Sequence, residues 1–151
     1  MSVLPELVAP ITVDLRKPDL SFDVIKGLEH VNYVDVVLDN KSLQVPKGTW
    51  LQKTSTGANA IPAGNGPEDV YPVVVGNDEY DALATGNVTL LVGGGFIVQT
   101  TNFVAGSYTI GQDLTAKSTG IQAAGSGDAL VARVWAYDSV NQVLTYLVLN
   151  R

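Results

Sequence analysis

The stretch ALVARVWAYDSVNQVLTYLVL, residues 129–149, decides the fold. Two runs rich in β-branched and aromatic residues, Ala129–Tyr137 and Gln142–Leu149, flank Asp138-Ser139-Val140-Asn141. This pattern predicts a β-hairpin, because Asp, Ser and Asn offer the side-chain acceptors that a tight turn uses. Side chains alternate along a strand. In the first run Leu130, Ala132, Val134 and Ala136 are therefore expected on one face, and Val131, Arg133, Trp135 and Tyr137 on the other. The second run is apolar on both faces, with Val143, Leu147 and Leu149 against Leu144, Tyr146 and Val148. A strand of that kind belongs in the centre of a sheet, covered by a second sheet or by a neighbouring subunit.

Upstream, the chain continues as strands and turns. Val31–Leu38 is rich in β-branched residues and is followed by the turn signal Asp39-Asn40-Lys41-Ser42. Trp50–Lys53 predicts a short strand, and residues 54–69 a loop dense in Gly, Asn, Thr and Pro. Tyr71–Val75 is a further apolar run, and Pro72 argues for a strand start or an edge because proline donates no ladder hydrogen bond. Val88–Val92 and Phe96–Phe103 flank Gly93-Gly94-Gly95, which marks a turn or bulge. Tyr108–Ile110, Leu114–Lys117 and Ile121–Ala123 are short pieces separated by Gly111 and Gly120. Valine supplies 22 of the 151 residues and glutamate only 4, which favours strand over helix. Short strands with frequent turn signals predict an all-β fold, a small antiparallel β-sandwich or barrel.

Residues 1–30 differ. Pro5, Pro10 and Pro18 recur with Leu4, Leu7, Val8, Ile11, Val13 and Leu15 between them. Proline blocks a helix interior, so this segment is expected to be an extended N-terminal arm, ahead of a single β domain over residues 31–151. Such an arm cannot bury its apolar residues against itself; it lies on its own body or on a partner. Asp19 is placed to cap a short helix carrying Leu20, Val24, Ile25 and Leu28.

Composition excludes much chemistry. The net charge is −6, with no basic field to neutralise phosphates, so no nucleic-acid partner is expected. Zero cysteines exclude disulfides, thiolate zinc sites and cysteine nucleophiles. No apolar run approaches the roughly 20 residues of a membrane helix, and no membrane partner is expected. His30 is the single histidine, so any serine triad must use it, yet no G-x-S-x-G elbow accompanies the serines. Asn77-Asp78-Glu79-Tyr80-Asp81 gathers oxygen ligands without the spacing of a calcium loop. Glu68 and Asp69 adjoin in a loop, and Gly125-Ser126-Gly127-Asp128 precedes a strand rather than a helix, so it is no dinucleotide fingerprint. No catalytic residue, cofactor or metal is expected. Between Thr85 and Gly127 only Asp113 and Lys117 are charged. Interface cores are depleted of charge, so this stretch reads either as a surface facing another protein or as tight glycine turns in a compact body. Trp135 and Tyr137 read as core or interface aromatics.

The second half resembles the head decoration, or cement, proteins of tailed bacteriophages. The resemblance lies in Thr85–Val92 (TGNVTLLV), Phe96–Thr101 (FIVQTT), Tyr108–Thr115 (YTIGQDLT) and Gly120–Trp135 (GIQAAGSGDALVARVW), and covers roughly residues 70–149. It implies a non-enzymatic structural virion protein, made in the host cytoplasm, on the outer capsid surface. Its partners would be the major capsid protein, which it bridges and stabilises, and itself as a homodimer or homotrimer. Interface residues on that reading are Leu4, Leu7, Val8, Ile11, Val13, Leu15, Trp135 and Tyr137. The alternatives are a tail, baseplate or fibre-attachment protein, a carbohydrate-binding β-sandwich using the aromatics, and, last, a hydrolase using His30.

Overall fold

The computed structural model describes residues 12–16, 33–77 and 86–149. Among them are eleven strands and no helix: β1 (Thr12–Asp14), β2 (Tyr33–Val37), β3 (Trp50–Lys53), β4 (Ala58–Ala60), β5 (Val70–Val75), β6 (Asn87–Leu91), β7 (Ile97–Thr100), β8 (Asp113–Lys117), β9 (Gly120–Ala123), β10 (Ala132–Asp138) and β11 (Val143–Val148). They form a six-stranded sheet of order β1-β7-β11-β10-β8-β9 and a five-stranded sheet of order β2-β6-β5-β3-β4, arranged as a sandwich. The all-β expectation holds. The pairing is antiparallel throughout except for β1, which runs parallel to β7.

The hairpin is where the sequence placed it. β11 lies between β7 and β10, and Leu144, Thr145, Tyr146 and Val148 are all buried. The face assignment within β10 needs correction. Val134 pairs with Tyr146 and Ala136 with Thr145, so Trp135 is an extra residue opposite no partner. This β-bulge resets the alternation. Ala132 and Val134 face the core, Ala136 is exposed, and Tyr137 rather than Ala136 packs inward.

Strands β3, β5 and β6 of the five-stranded sheet bury side chains on both faces, which produces two cores. Trp50, Val70, Val74 and Leu91 point at the larger sheet and join Val98, Leu114, Val134, Leu144 and Tyr146. Their neighbours Leu51, Val73 and Leu90 point the other way, onto Leu38, Leu43 and Val45. The sheet curls until Leu38, just past β2, bridges Ala58 of β4. Gly57 permits this closure, because a Cβ there would lie 1.9 Å from the Val37 carbonyl oxygen. Asn77 ties down the lid over the smaller core. Its side-chain oxygen accepts from Val45 N at 2.7 Å, and its Nδ2 donates to Leu43 O at 2.6 Å.

Trp50 and Tyr146 join the two sheets. Both are buried, with ring centroids 5.9 Å apart, and Trp50 Nε1 donates to the Tyr146 hydroxyl at 3.1 Å. Burial pushes the Tyr146 hydroxyl pKa up, and the bond from Trp50 opposes that only in part. The indole and phenol add apolar area while each satisfies the other's polar atom.

Several local expectations are revised. Pro72 sits in an interior strand, not at an edge. Val73 N donates to Thr49 O, so alternation turns the Pro72 nitrogen away from β3, and pairing with β6 begins only at Val73. The predicted loop 54–69 contains the short strand β4, and Tyr108–Ile110 is not a strand. Gly93–Gly95, expected as a turn or bulge, is a bend that carries the chain from β6 in one sheet to β7 in the other, with positive φ at Gly93 and Gly95. The expected helix after Asp19 lies outside the described residues.

Candidate interaction surfaces

Of the arm residues expected at an interface, Leu4, Leu7, Val8 and Ile11 lie outside the described residues. Val13 and Leu15 belong to this chain's own larger core and are almost fully buried. They are not available to a partner. The reason is the parallel pairing with β7: Val13 sits beside Val98, on its core-facing side, and Leu15 N donates to Gln99 O at 2.8 Å.

Trp135 and Tyr137 have different fates. The bulge holds Trp135 out, with half its surface in solvent. Tyr137 is drawn in. Its ring meets Phe103 and Tyr108 edge-on, at centroid separations of 6.0 and 5.3 Å, and its hydroxyl donates to Gly106 O at 3.0 Å. Tyr108 closes this cluster by donating to Val104 O. Burial, then the neighbouring Tyr137, raises the Tyr108 pKa. The three rings fasten the 103–110 segment to the hairpin. Tyr137 thus holds that segment in place, and Trp135 is the side chain left in solvent.

The two charged residues of the 85–127 stretch both have partners. Asp113 accepts from Arg133 Nε at 3.2 Å in an exposed pair. Lys117 Nζ lies 3.2 Å from Asp128 Oδ2, whose side chain is almost completely covered. Asp128 also accepts from Gly66 N and Gly125 N, and these bonds, that from Gly66 first, hold its carboxyl below the usual range. Gly111 N donates to Val134 O, which brings Ile110, 80% exposed, to the chain position beside Trp135. Ile110 was not singled out from sequence. Its exposure follows from the hydrogen bonds of Gly111 and Gln112 to β10, which no local pattern announces.

A groove lies where the ends of the two sheets meet. This groove of about 540 Å³ is lined by Glu68, Asp69, Tyr71, Val92, Leu130 and Leu149, among others. Asp69 accepts from Gln52 Nε2 at 3.2 Å. Among the described residues no group of three or more His, Cys, Asp or Glu is placed to hold a metal ion. Of the 77–81 oxygen cluster only Asn77 is described, and its side chain is engaged in the lid. His30 lies outside the described residues. No helix among them is long and apolar enough to cross a membrane. No protein-family model matches the chain, and no curated protein matches it.

Proposed function

We propose that this protein is a structural virion component that decorates the outer surface of a tailed-phage capsid and bridges its major capsid proteins. One observation carries the reading: a half-exposed tryptophan held out by a bulge in β10, and a strongly exposed Ile110 from the adjoining 85–127 stretch, whose only two charges are each paired within the chain. Such a surface loses little electrostatic solvation when another protein covers it, and tryptophan is a frequent anchor of protein interfaces. The resemblance over residues 70–149 supports the same assignment.

The mechanism is linkage. A protein that binds only the assembled, expanded shell stabilises it by RT ln(1 + [L]/Kd) at each site, and many sites multiply the effect. No bond is made or broken. Co-sedimentation of the purified protein with expanded capsids of its own virus that lack it is the test. Saturable binding in hundreds of copies per particle is expected. Failure to sediment with intact expanded capsids contradicts the proposal. A few copies per virion, by gel densitometry, moves the protein to the tail or baseplate.

The groove favours a second reading, a carbohydrate-binding module, because Tyr71 beside Glu68 and Asp69 matches the stacking and hydrogen-bonding chemistry of sugar sites. Glycan binding lost on Tyr71→Ala in a folded protein would select it.

A further inference from the structure

We propose that the outer edge of β2 is a self-association site, where a second copy of this chain pairs antiparallel across a two-fold axis at Val34. The proposal stands apart from the capsid assignment and concerns the purified protein alone.

β2 is the terminal strand of the five-stranded sheet, paired on one side only, with β6. The direction of its backbone groups follows from the bonds at its end. Leu38 N donates to Gly86 O at 2.8 Å, on the β6 side, whereas Asp39 N donates to Ala58 O at 2.9 Å, on the other. Backbone groups alternate sides along an antiparallel strand. Val34 and Val36 therefore bond to β6, and Tyr33 and Asp35 direct their N–H and C=O groups outward. Beyond Val37 the outer side is closed by the turn at Gly57 and the bridge to Ala58. Among the described residues nothing pairs with the outward groups of Tyr33 and Asp35.

The usual guards of an edge are missing from this strand. Natural edges carry proline, lysine or a bulge that prevents pairing. Tyr33–Val37 has none of these, and its register with β6 is unbroken over all five residues. Tyr33, Val34 and Val37 are 43%, 47% and 44% exposed, so apolar surface is shown on both faces. The one charge, Asp35, accepts a hydrogen bond from Thr89 Oγ1 at 2.6 Å, on the adjacent strand of its own sheet.

The sequence selects both occupant and register. A two-fold antiparallel pair centred on Asp35 sets two carboxylates opposite one another, which is destabilising. Centring one residue earlier removes that conflict. Val34 then faces Val34 at the axis, and each Tyr33 lies opposite Asp35 of the second copy. The outward groups of Tyr33 and Asp35 exchange bonds with their counterparts, four in all. YVDVV is self-complementary in that register, which joins two five-stranded sheets edge to edge. An isologous edge of this kind closes at two chains.

The test uses the full chain. Native mass measurement across micromolar concentrations should give two chains. Val34→Lys, a change at an exposed position, should leave the circular dichroism and melting temperature unaltered and weaken the dimer at least about tenfold, through two ammonium groups facing across the axis. The natural chain has no cysteine, so Val34→Cys should form an interchain disulfide under mild oxidation, whereas Val140→Cys at the hairpin tip should not. A single chain at every concentration, a dimer indifferent to Val34→Lys, or a three-chain assembly overturns the proposal.

Discussion

β11 and β2 are nearly alike as sequences and opposite as structures. VLTYLV and YVDVV are both short, β-branched and aromatic. β11 lies between β7 and β10, with Leu144 and Tyr146 sealed in the larger core. β2 lies at a margin with most of its side chains in solvent. Strand propensity reports that a residue suits a pleated surface; it does not say whether that surface is covered. Coverage is decided by partners far along the chain. β11 is flanked by its hairpin neighbour and by β7, more than forty residues earlier. β2 meets β6 on one side and, among the described residues, only the Leu38–Ala58 bridge past its end on the other.

The sharpest break in this comparison is a pair of truncations. Leu144→Ala opens a cavity between the sheets and is expected to cost ~2–5 kcal/mol, whereas Val34→Ala should change the monomer's stability by less than ~0.5 kcal/mol. Urea unfolding at matched, low protein concentration measures both. Equal losses would mean that β2 is as covered as β11. Gly57→Ala comes next. Its methyl would meet the Val37 carbonyl oxygen, a backbone atom that yields only if the sheet closure opens. A loss of ~1–3 kcal/mol is expected. Unchanged stability would show that the closure past β2 contributes nothing.

Acid acts more gently, on loops and a strand end rather than on strand interiors. Asp39, Asp128 and Asp138 all have carboxyls held below their ordinary value, by bonds from Thr56 and Thr54, from Gly66 and Gly125, and from Asn141 respectively. Each binds fewer protons folded than unfolded. Their stabilisation is therefore complete above an unfolded pKa near ~3.9 and is lost as pH falls through the lower folded values. Melting temperature should be flat from neutral pH to about 5 and fall below about 4, and Asp128→Asn should make that fall shallower. A fall beginning near neutrality would point to another group.

Much of the architecture was legible. The alternation and turn residues of 129–149 located the hairpin, and the two-sided apolar pattern of β11 located the sheet centre. Three things were not. The bulge at Trp135 follows from how β10 meets β11, and it undid the face assignment beyond Val134. The interior position of Pro72 depends on where pairing with β6 begins. Whether Val13 and Leu15 lie on their own body or on a partner stayed open in the sequence, because their pairing strand, β7, stands some eighty residues away. The candidate surface was half legible. Trp135 and Tyr137 were identified together, yet only Trp135 is displayed, because the bulge turns Tyr137 onto Phe103 and Tyr108.

That division gives the most direct test of the proposed capsid-covering role. Co-sedimentation with expanded capsids should compare Trp135→Ala and Tyr137→Ala, with each variant's melting temperature measured alongside. The account predicts that Trp135→Ala melts like the unaltered protein and loses most of its capsid binding, while Tyr137→Ala melts lower and binds capsids for as long as it stays folded. Full capsid binding by Trp135→Ala would contradict it.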